Sequence, residues 1–425
     1  MGGEMGADRG KLKVGVLGLK RGAGFASLFD ANPCSKTVAV CDFDQLCIHT
    51  FMGRRKDIVA YTDYDKFLEH DMDAVVIAGY CTEHAPQAIK ALESGKHVLS
   101  EVIACKTLAE GVALCRAVEK TGKIYMFGEN YCYFSYIQEM RWLYEQGVIG
   151  EYIYGECEYV HDTREYTHIL TDGPQHWRNW IPSTYYCTHS LGPIIMITGT
   201  RPVKVNGFVI PNRLSREWGR KGDDGAVLIC TMDNNAITKV IPWSIGPHDS
   251  IWYRIHGLKG AMENNRWRNT DMLNLFIKNT GGKDEEKSYV PQFRKYAEEA
   301  QKYGHGGSDF FVVWEFVDAV VNKKKSPIDV YRAMDMTLPG ILGFRSALNN
   351  NATIEVPDFR NESVRKKYEN DHWSPDPKDK KIPGQPFPSV LGEIVIPDSI
   401  YERLEERRKK ERARQEEALK KAYKI

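Results

Sequence analysis

KVGVLGLKRGAG, residues 13–24, opens as a buried strand (Lys13 to Leu17) and runs directly into a glycine-rich turn and a helix. Gly15, Gly18, Gly22 and Gly24 fall within it. Glycine lets the backbone turn sharply and approach a pyrophosphate, whose charge a helix N-terminus can then hold. The spacing departs from G-x-G-x-x-G, because Gly18 is followed by Leu19, Lys20, Arg21 and Gly22. The middle glycine is absent, or the loop is one residue shorter. A second strand, Val38 to Cys41, ends in Cys41-Asp42-Phe43-Asp44, with Asp42 lying 24 residues beyond Gly18. That is near where an acid holds the ribose hydroxyls and repels a 2′-phosphate. A tight turn followed by a helix-capping aspartate would explain the same residues. Taken in order, strand, glycines, helix, strand and acid predict dinucleotide binding by Gly18, Lys20, Arg21, Gly22 and Asp42. NAD is preferred over NADP, although Lys20 and Arg21 could contact a phosphate.

Outward from this stretch, short apolar runs continue at Ala74 to Ala78, around His97 to Leu99, and at Ile124 to Phe127. Helix-like segments separate them: Phe25 to Ala31, Tyr64 to Glu69, Ala85 to Glu93 and Leu108 to Thr121. Strands alternating with helices imply parallel pairing, since parallel neighbours need crossover connections. The reading is α/β: a doubly wound Rossmann domain over residues 11–130. From 131 to 360 the rhythm changes to closely spaced strands, Glu151 to Val160, Val203 to Ile210, Ala226 to Met232, Ala236 to Ile241 and Ile251 to Leu258. These predict an α+β domain with an open, mostly antiparallel sheet, closed by helices over Asp309 to Asn322 and Asp329 to Asn349. Residues 361–425 read as an extended arm and a charged helix.

The chain has 425 residues, 58 Lys+Arg against 57 Asp+Glu, and 42% hydrophobic residues. The near-balance of charge offers no general attraction to nucleic acid or to an anionic membrane. No run approaches the ~20 apolar residues of a spanning helix. The N-terminus MGGEMGADRGKLK lacks the apolar stretch of a signal peptide. Ten cysteines without C-x-x-C spacing suit a reduced interior. The sequence predicts a cytoplasmic protein with no nucleic-acid partner and no metal. Tyr401 to Ile425 holds ten Lys/Arg and six Glu. Interleaved acids favour a solvated helix over a nucleic-acid tail, and Leu404, Leu419 and Tyr423 could pack on a neighbouring subunit.

Tyr80-Cys81-Thr82-Glu83-His84-Ala85-Pro86, ALESGKHVLSEV at 91–102, and Asp335-Met336-Thr337-Leu338-Pro339-Gly340-Ile341 resemble motifs of the Gfo/Idh/MocA oxidoreductases. The resemblance spans about residues 11–360. It implies a Rossmann domain followed by an open-sheet domain, NAD as cofactor with Thr82, His84, Glu101 and Asn130 beside it, and association as a homodimer or homotetramer. Where that family has Glu-Lys-Pro, with the lysine assisting proton removal in its sugar dehydrogenases, this chain has Glu101-Val102-Ile103. Val102 cannot exchange protons. More distantly, the chain resembles the NAD-dependent α-N-acetylgalactosaminidase branch, which also lacks the lysine. The motifs are Glu129-Asn130-Tyr131-Cys132-Tyr133, Tyr159-Val160-His161-Asp162-Thr163-Arg164, Tyr186-Cys187-Thr188-His189-Ser190-Leu191-Gly192-Pro193 and Gly304-His305-Gly306-Gly307-Ser308-Asp309. Cys187 and Ser308 depart from that branch, where Pro and Met are usual.

These motifs supply tyrosines and histidines rather than the paired carboxylates of direct glycoside hydrolysis. They suit a redox cycle on a sugar or glycoside. A ring hydroxyl, at carbon 3, is oxidised by bound NAD, the proton at carbon 2 is removed, the aglycone leaves, water adds, and the alcohol is restored. His189 is the first catalytic candidate, with Tyr186 three residues earlier on the same side. The resemblance aligns His189 with a catalytic histidine and Tyr133 with a catalytic tyrosine; Tyr131 competes with Tyr133. Tyr131, His161, Asp162, Arg164, Trp177, Arg178 and His305 are expected at the sugar, although turn geometry would equally explain His305. His168 and His176 read as surface residues. A net sugar dehydrogenase or reductase, and an idle sugar- or NAD-binding regulator, are the alternatives.

Overall fold

In the computed structural model, residues 10–53, 55–379 and 384–423 are described. The first nine residues, read above for a leader, part of the arm, and the last two residues of the segment read above as a charged helix lie outside them. The first sheet contains β1 (Leu12–Leu17), β2 (Ser35–Cys41), β3 (Val59–Tyr61), β4 (Ala74–Ile77), β5 (His97–Ser100) and β6 (Tyr125–Phe127). Its order is β3-β2-β1-β4-β5-β6, all parallel. This is the doubly wound order that reverses between β1 and β4 and opens a ligand crevice there. β4 is buried along its whole length, as expected for a strand covered by helices on both faces.

The β1 turn explains two of the glycines. Gly18 has φ +86°, and a Cβ there would lie 2.4 Å from the Ala78 carbonyl oxygen. A Cβ at Gly22 would lie 2.5 Å from Val16 Cγ1. One glycine therefore permits the turn and the other lets the helix Leu19–Ala31 close onto its strand. The sequence reading omits the helix Gln45–Met52, capped by Asp44, and the exposed edge strand β3.

The second sheet contains β7 (Tyr152–Val160), β8 (Pro202–Ile210), β9 (Gly225–Met232), β10 (Ile237–Trp243), β11 (Ser250–Gly257), β12 (Gly260–Asn264), β13 (Leu273–Ile277), β14 (Glu285–Tyr289) and β15 (Ile354–Glu355). The order is β14-β13-β12-β11-β7-β10-β9-β8-β15, antiparallel except for β7 with β10. β12 to β14 escape the sequence reading. The last is EEKSY, an edge strand whose charges protect it from further pairing. Alternation along β9 and β10 turns Leu228, Cys230, Thr238 and Val240 inward, beneath the helices Thr188–Thr198 and Val330–Leu348. Among the described residues, no helix is long and apolar enough to cross a membrane.

After residue 360 the chain straps the two domains together. Lys106 Nζ pairs with Asp376 (3.0 Å) and Asp379 (2.8 Å), Arg345 grips Asp371 through two 2.6 Å bonds, and the Ser389 hydroxyl donates to Asp223. The helix Asp398–Tyr423 then crosses from one domain to the other. Tyr401 donates to Gly219 O (3.1 Å), Arg408 to Thr171 O (3.3 Å), and Arg412 to both carboxylate oxygens of Asp44 (2.7 and 3.1 Å). Leu404 is buried against its own chain beside Gly219, not offered to a neighbouring subunit.

Candidate active site

The crevice at the C-terminal ends of β1 and β4 continues into the second domain as one cleft of about 640 Å³. Gly18, Lys20, Asp42 and Tyr80 line one end, and Tyr131, Tyr159, Trp177, Arg178, Tyr186, His189 and Arg220 line the other.

At the first end Asp42 closes β2 and accepts from Leu19 N (2.7 Å) and Asp44 N (2.8 Å). Asp44, not Asp42, caps the following helix. Among the described residues, the first-turn N–H groups of Lys20 and Arg21 have no acceptor. Free helix N-terminal donors, a glycine turn that admits close approach, and an acid at the end of β2 fit a dinucleotide. Gly18, Lys20 and Asp42 would hold it. Arg21 does not fit as a phosphate contact. Its guanidinium binds Glu101 (2.7 Å) and forms a two-bond grip on Asp309 (2.7 and 2.8 Å). Asp309 also meets His305 Nδ1 (2.9 Å) and Asn130 Nδ2 (3.1 Å). Burial alone would raise the Asp309 carboxyl, but Arg21 and His305 outweigh it and hold it well below the usual carboxylate range. Arg21 thus ties the glycine turn to the second domain. The expected cofactor residues Glu101 and Asn130 line the cleft inside this network.

Thr82 is buried and does not line the cleft. His84 lines it, but its Nδ1 lies 3.0 Å from Ile103 O and its Nε2 3.4 Å from Gly79 O. Burial lowers its pKa, and the ring is wedged between the segments that follow β4 and β5.

At the second end His189 lies in the first turn of the helix Thr188–Thr198, and its Nδ1 meets Glu129 Oε1 at 2.8 Å. Glu129 is 0% exposed, and its other oxygen has no partner among the described residues. The Tyr131 ring stacks on His189 at 4.5 Å, and Tyr159 lies 4.7 Å away. Tyr186 accepts from Arg178 Nη1 (3.1 Å), and its ring lies parallel to Trp177. Burial pushes the Tyr186 phenol up to about 12, with Arg178 opposing the rise. Tyr131 and Tyr159, to which no guanidinium donates among the described residues, are pushed higher by burial. Val102, in the position of the missing lysine, lines the cleft.

Residues 12–129 match the oxidoreductase family with NAD-binding Rossmann fold, Gfo/Idh/MocA, and residues 228–366 match the C-terminal domain of glycosyl hydrolase 109. The chain carries the two domains of these families. It is similar to a glycosyl hydrolase family 109 protein of Stenotrophomonas maltophilia (26% identity, covering 76% of this chain and 83% of the relative). It is similar also to an α-N-acetylgalactosaminidase of Tannerella forsythia (26% identity, 76% and 81% covered). In fold it resembles a levoglucosan dehydrogenase solved with NADH and L-sorbose, with TM-score 0.70, 20% identity, and 82% and 100% of the chains covered. The Rossmann domain is thus of NAD-binding type and the chain is an NAD-dependent enzyme.

Several sequence expectations need correction within these domains. Tyr133 is turned away from the cleft. Its buried hydroxyl has no partner among the described residues, and burial drives its pKa far up, which leaves Tyr131 as the tyrosine beside His189. Asp162 and Arg164 pair with each other (2.6 and 2.8 Å) and do not line the cleft. His161 lines the rim and meets Asp249 (3.1 Å). His305 lines the cleft and bridges to Asp309. His176 is not a surface residue: it is buried in the cleft wall, edge-on to Tyr80 at 4.8 Å. Glu129, Tyr159 and Arg220 were absent from the candidate residues. Glu129 and Tyr159 sit inside quoted motifs, whereas no pattern marks Arg220.

Proposed function

We propose that the protein cleaves a glycoside in a redox-neutral cycle, with NAD retained. The observation that carries this is the pairing of buried Glu129 with His189 in a tyrosine-lined pocket that is continuous with the dinucleotide end, with Val102 where a dehydrogenase lysine would act. NAD, when bound, supplies reversible hydride exchange with a ring carbon of the sugar, carbon 3 in this reading. Tyr186, held by Arg178, is placed to pass the hydroxyl proton, with the adjacent guanidinium offsetting part of the rise that burial imposes on its phenol. Glu129 fixes the tautomer and orientation of His189 through Nδ1, which leaves Nε2 to take the proton next to the new carbonyl and to return it. The indole of Trp177 offers a stacking face to the sugar.

The test is a panel of glycosides incubated with purified protein and catalytic amounts of NAD. Free sugar released without accumulating NADH is expected. Stoichiometric NADH with the glycosidic bond intact would establish a net dehydrogenase instead.

Retention of NAD gives the C-terminal helix a part to play. The Arg412–Asp44 pair lies two residues from Asp42 and ties that helix to the rim of the cofactor end. An exposed pair of this kind contributes less than about 1 kcal/mol. Arg412→Ala is therefore expected to speed NAD release by about three- to fivefold in a stopped-flow displacement assay. An unchanged off-rate would dissociate the helix from cofactor retention.

A further inference from the structure

Arg220 is 6% exposed and lines the sugar end of the cleft. Its Nη1 donates to Ser244 O (3.1 Å), and its Nη2 to the hydroxyls of Thr163 (2.7 Å) and Thr167 (3.2 Å). Its buried Nε has no acceptor among the described residues. All three partners are neutral. Arg178, in the same wall, donates to the Tyr186 hydroxyl and lies over the Trp177 ring. Among the described residues, no carboxylate forms an ion pair with either guanidinium.

Buried cations are ordinarily paired, because taking an unpaired charge out of water costs several kcal/mol. Elsewhere in this chain the rule holds: Arg21, Arg360 and Arg365 each face carboxylates and are raised in pKa. Arg220 moves the other way, down to about 10, because burial disfavours its charge and Arg178 repels it. Three nearby acids point to other partners. Asp162 is taken by Arg164, Glu101 by Arg21, and Glu129 faces His189. His176 is kept neutral by burial. The wall of the sugar end therefore holds two guanidinium groups that, among the described residues, no carboxylate pairs with directly, an arrangement that a neutral hydroxylated ring leaves uncompensated.

We infer that the substrate brings the missing anion: a carboxylate, phosphate or sulfate substituent on the glycoside, bound between Arg178 and Arg220. The inference rests on the glycoside reading of this cleft and narrows it to acidic glycosides. Planar guanidinium groups suit such oxyanions through paired N–H donors.

The test compares NAD-loaded protein on matched nitrophenyl glycosides: glucuronide against glucoside, galacturonide against galactoside, and phosphorylated and sulfated forms against their parents. One acidic class should exceed its neutral partner by about a hundredfold or more in kcat/KM, since the neutral sugar leaves buried donors unpaired. The class that wins identifies the oxyanion. Equal or faster cleavage of every neutral partner overturns the inference while leaving glycoside cleavage standing. Arg220→Gln should bring the acidic-to-neutral ratio close to unity, and an unchanged ratio in a variant that melts like the parent overturns the assignment. If Arg220→Gln fails to fold, Arg178→Gln reads the same ratio. If no glycoside is cleaved, calorimetric titration of glucuronate and of inorganic phosphate decides separately. Binding of either, weakened tenfold or more in Arg220→Gln, sustains the anion site, and no binding of both overturns it.

Discussion

His189→Ala lowers kcat for glycoside cleavage by about a thousandfold or more, with NAD still bound at parental stoichiometry. The size follows from the role: a positioned proton-transfer group contributes about 10²–10⁴-fold. His189 lies at the sugar end with Nδ1 held by Glu129 at 2.8 Å, whereas the Gly18 turn and Asp42 lie at the other end of the cleft. Alanine removes the proton carrier without touching the cofactor contacts. Glu129→Gln separates positioning from proton transfer. Being wholly buried, Glu129 reaches no substrate, so its replacement should cut kcat and displace the pH profile with little change in KM. Steady-state kinetics with quantified bound NAD provide the check. Near-parental kcat in His189→Ala would remove His189 from the chemistry.

Arg21→Met destabilises the protein by about 3 kcal/mol, because it leaves buried Asp309 and half-buried Glu101 without their arginine. The pH dependence has a definite sign. Asp309 is held below the usual carboxylate range in the folded state. Its pairing therefore stabilises fully above the unfolded-state value of about 4, and that contribution is lost as the pH falls through the lower folded-state value. The parent and Arg21→Met should differ most near neutrality and converge in acid. Denaturant titrations at several pH values measure this, and a constant difference across pH would contradict the pairing. Because the same arginine joins the glycine turn to the helix Ser308–Val321, the loss should also loosen the alignment of the two ends of the cleft.

The Rossmann half was legible because its signals are local. Apolar runs, Gly18, Gly22 and Asp42 lie within one strand–helix–strand stretch, and each has a backbone reason for its identity. His189 and Tyr186 were legible through their spacing in one motif. Arg21 was misread because its partners, Glu101 and Asp309, come from distant segments that only the fold brings together. Arg220 and Glu129 were hidden for the same reason. Tyr131 and Tyr133 are two residues apart on one tight turn, Asn130–Tyr133, and the way that turn enters the core decides which ring meets the cleft. His176 was misplaced because its surrounding segment is polar, although the loop folds back over the cofactor end, where Tyr80 donates to Asp172. β14 was missed because a protected edge strand carries charge rather than alternation.

The most direct test of the cleavage cycle is one turnover experiment in deuterated water with a cleaved glycoside. Removal and return of the proton next to the transient carbonyl predicts deuterium at carbon 2 of the released sugar, hydrogen retained at carbon 3, and no net NADH. A released sugar without deuterium at carbon 2 would contradict the account, because the bond would then have broken without the oxidised intermediate that gives His189 its task.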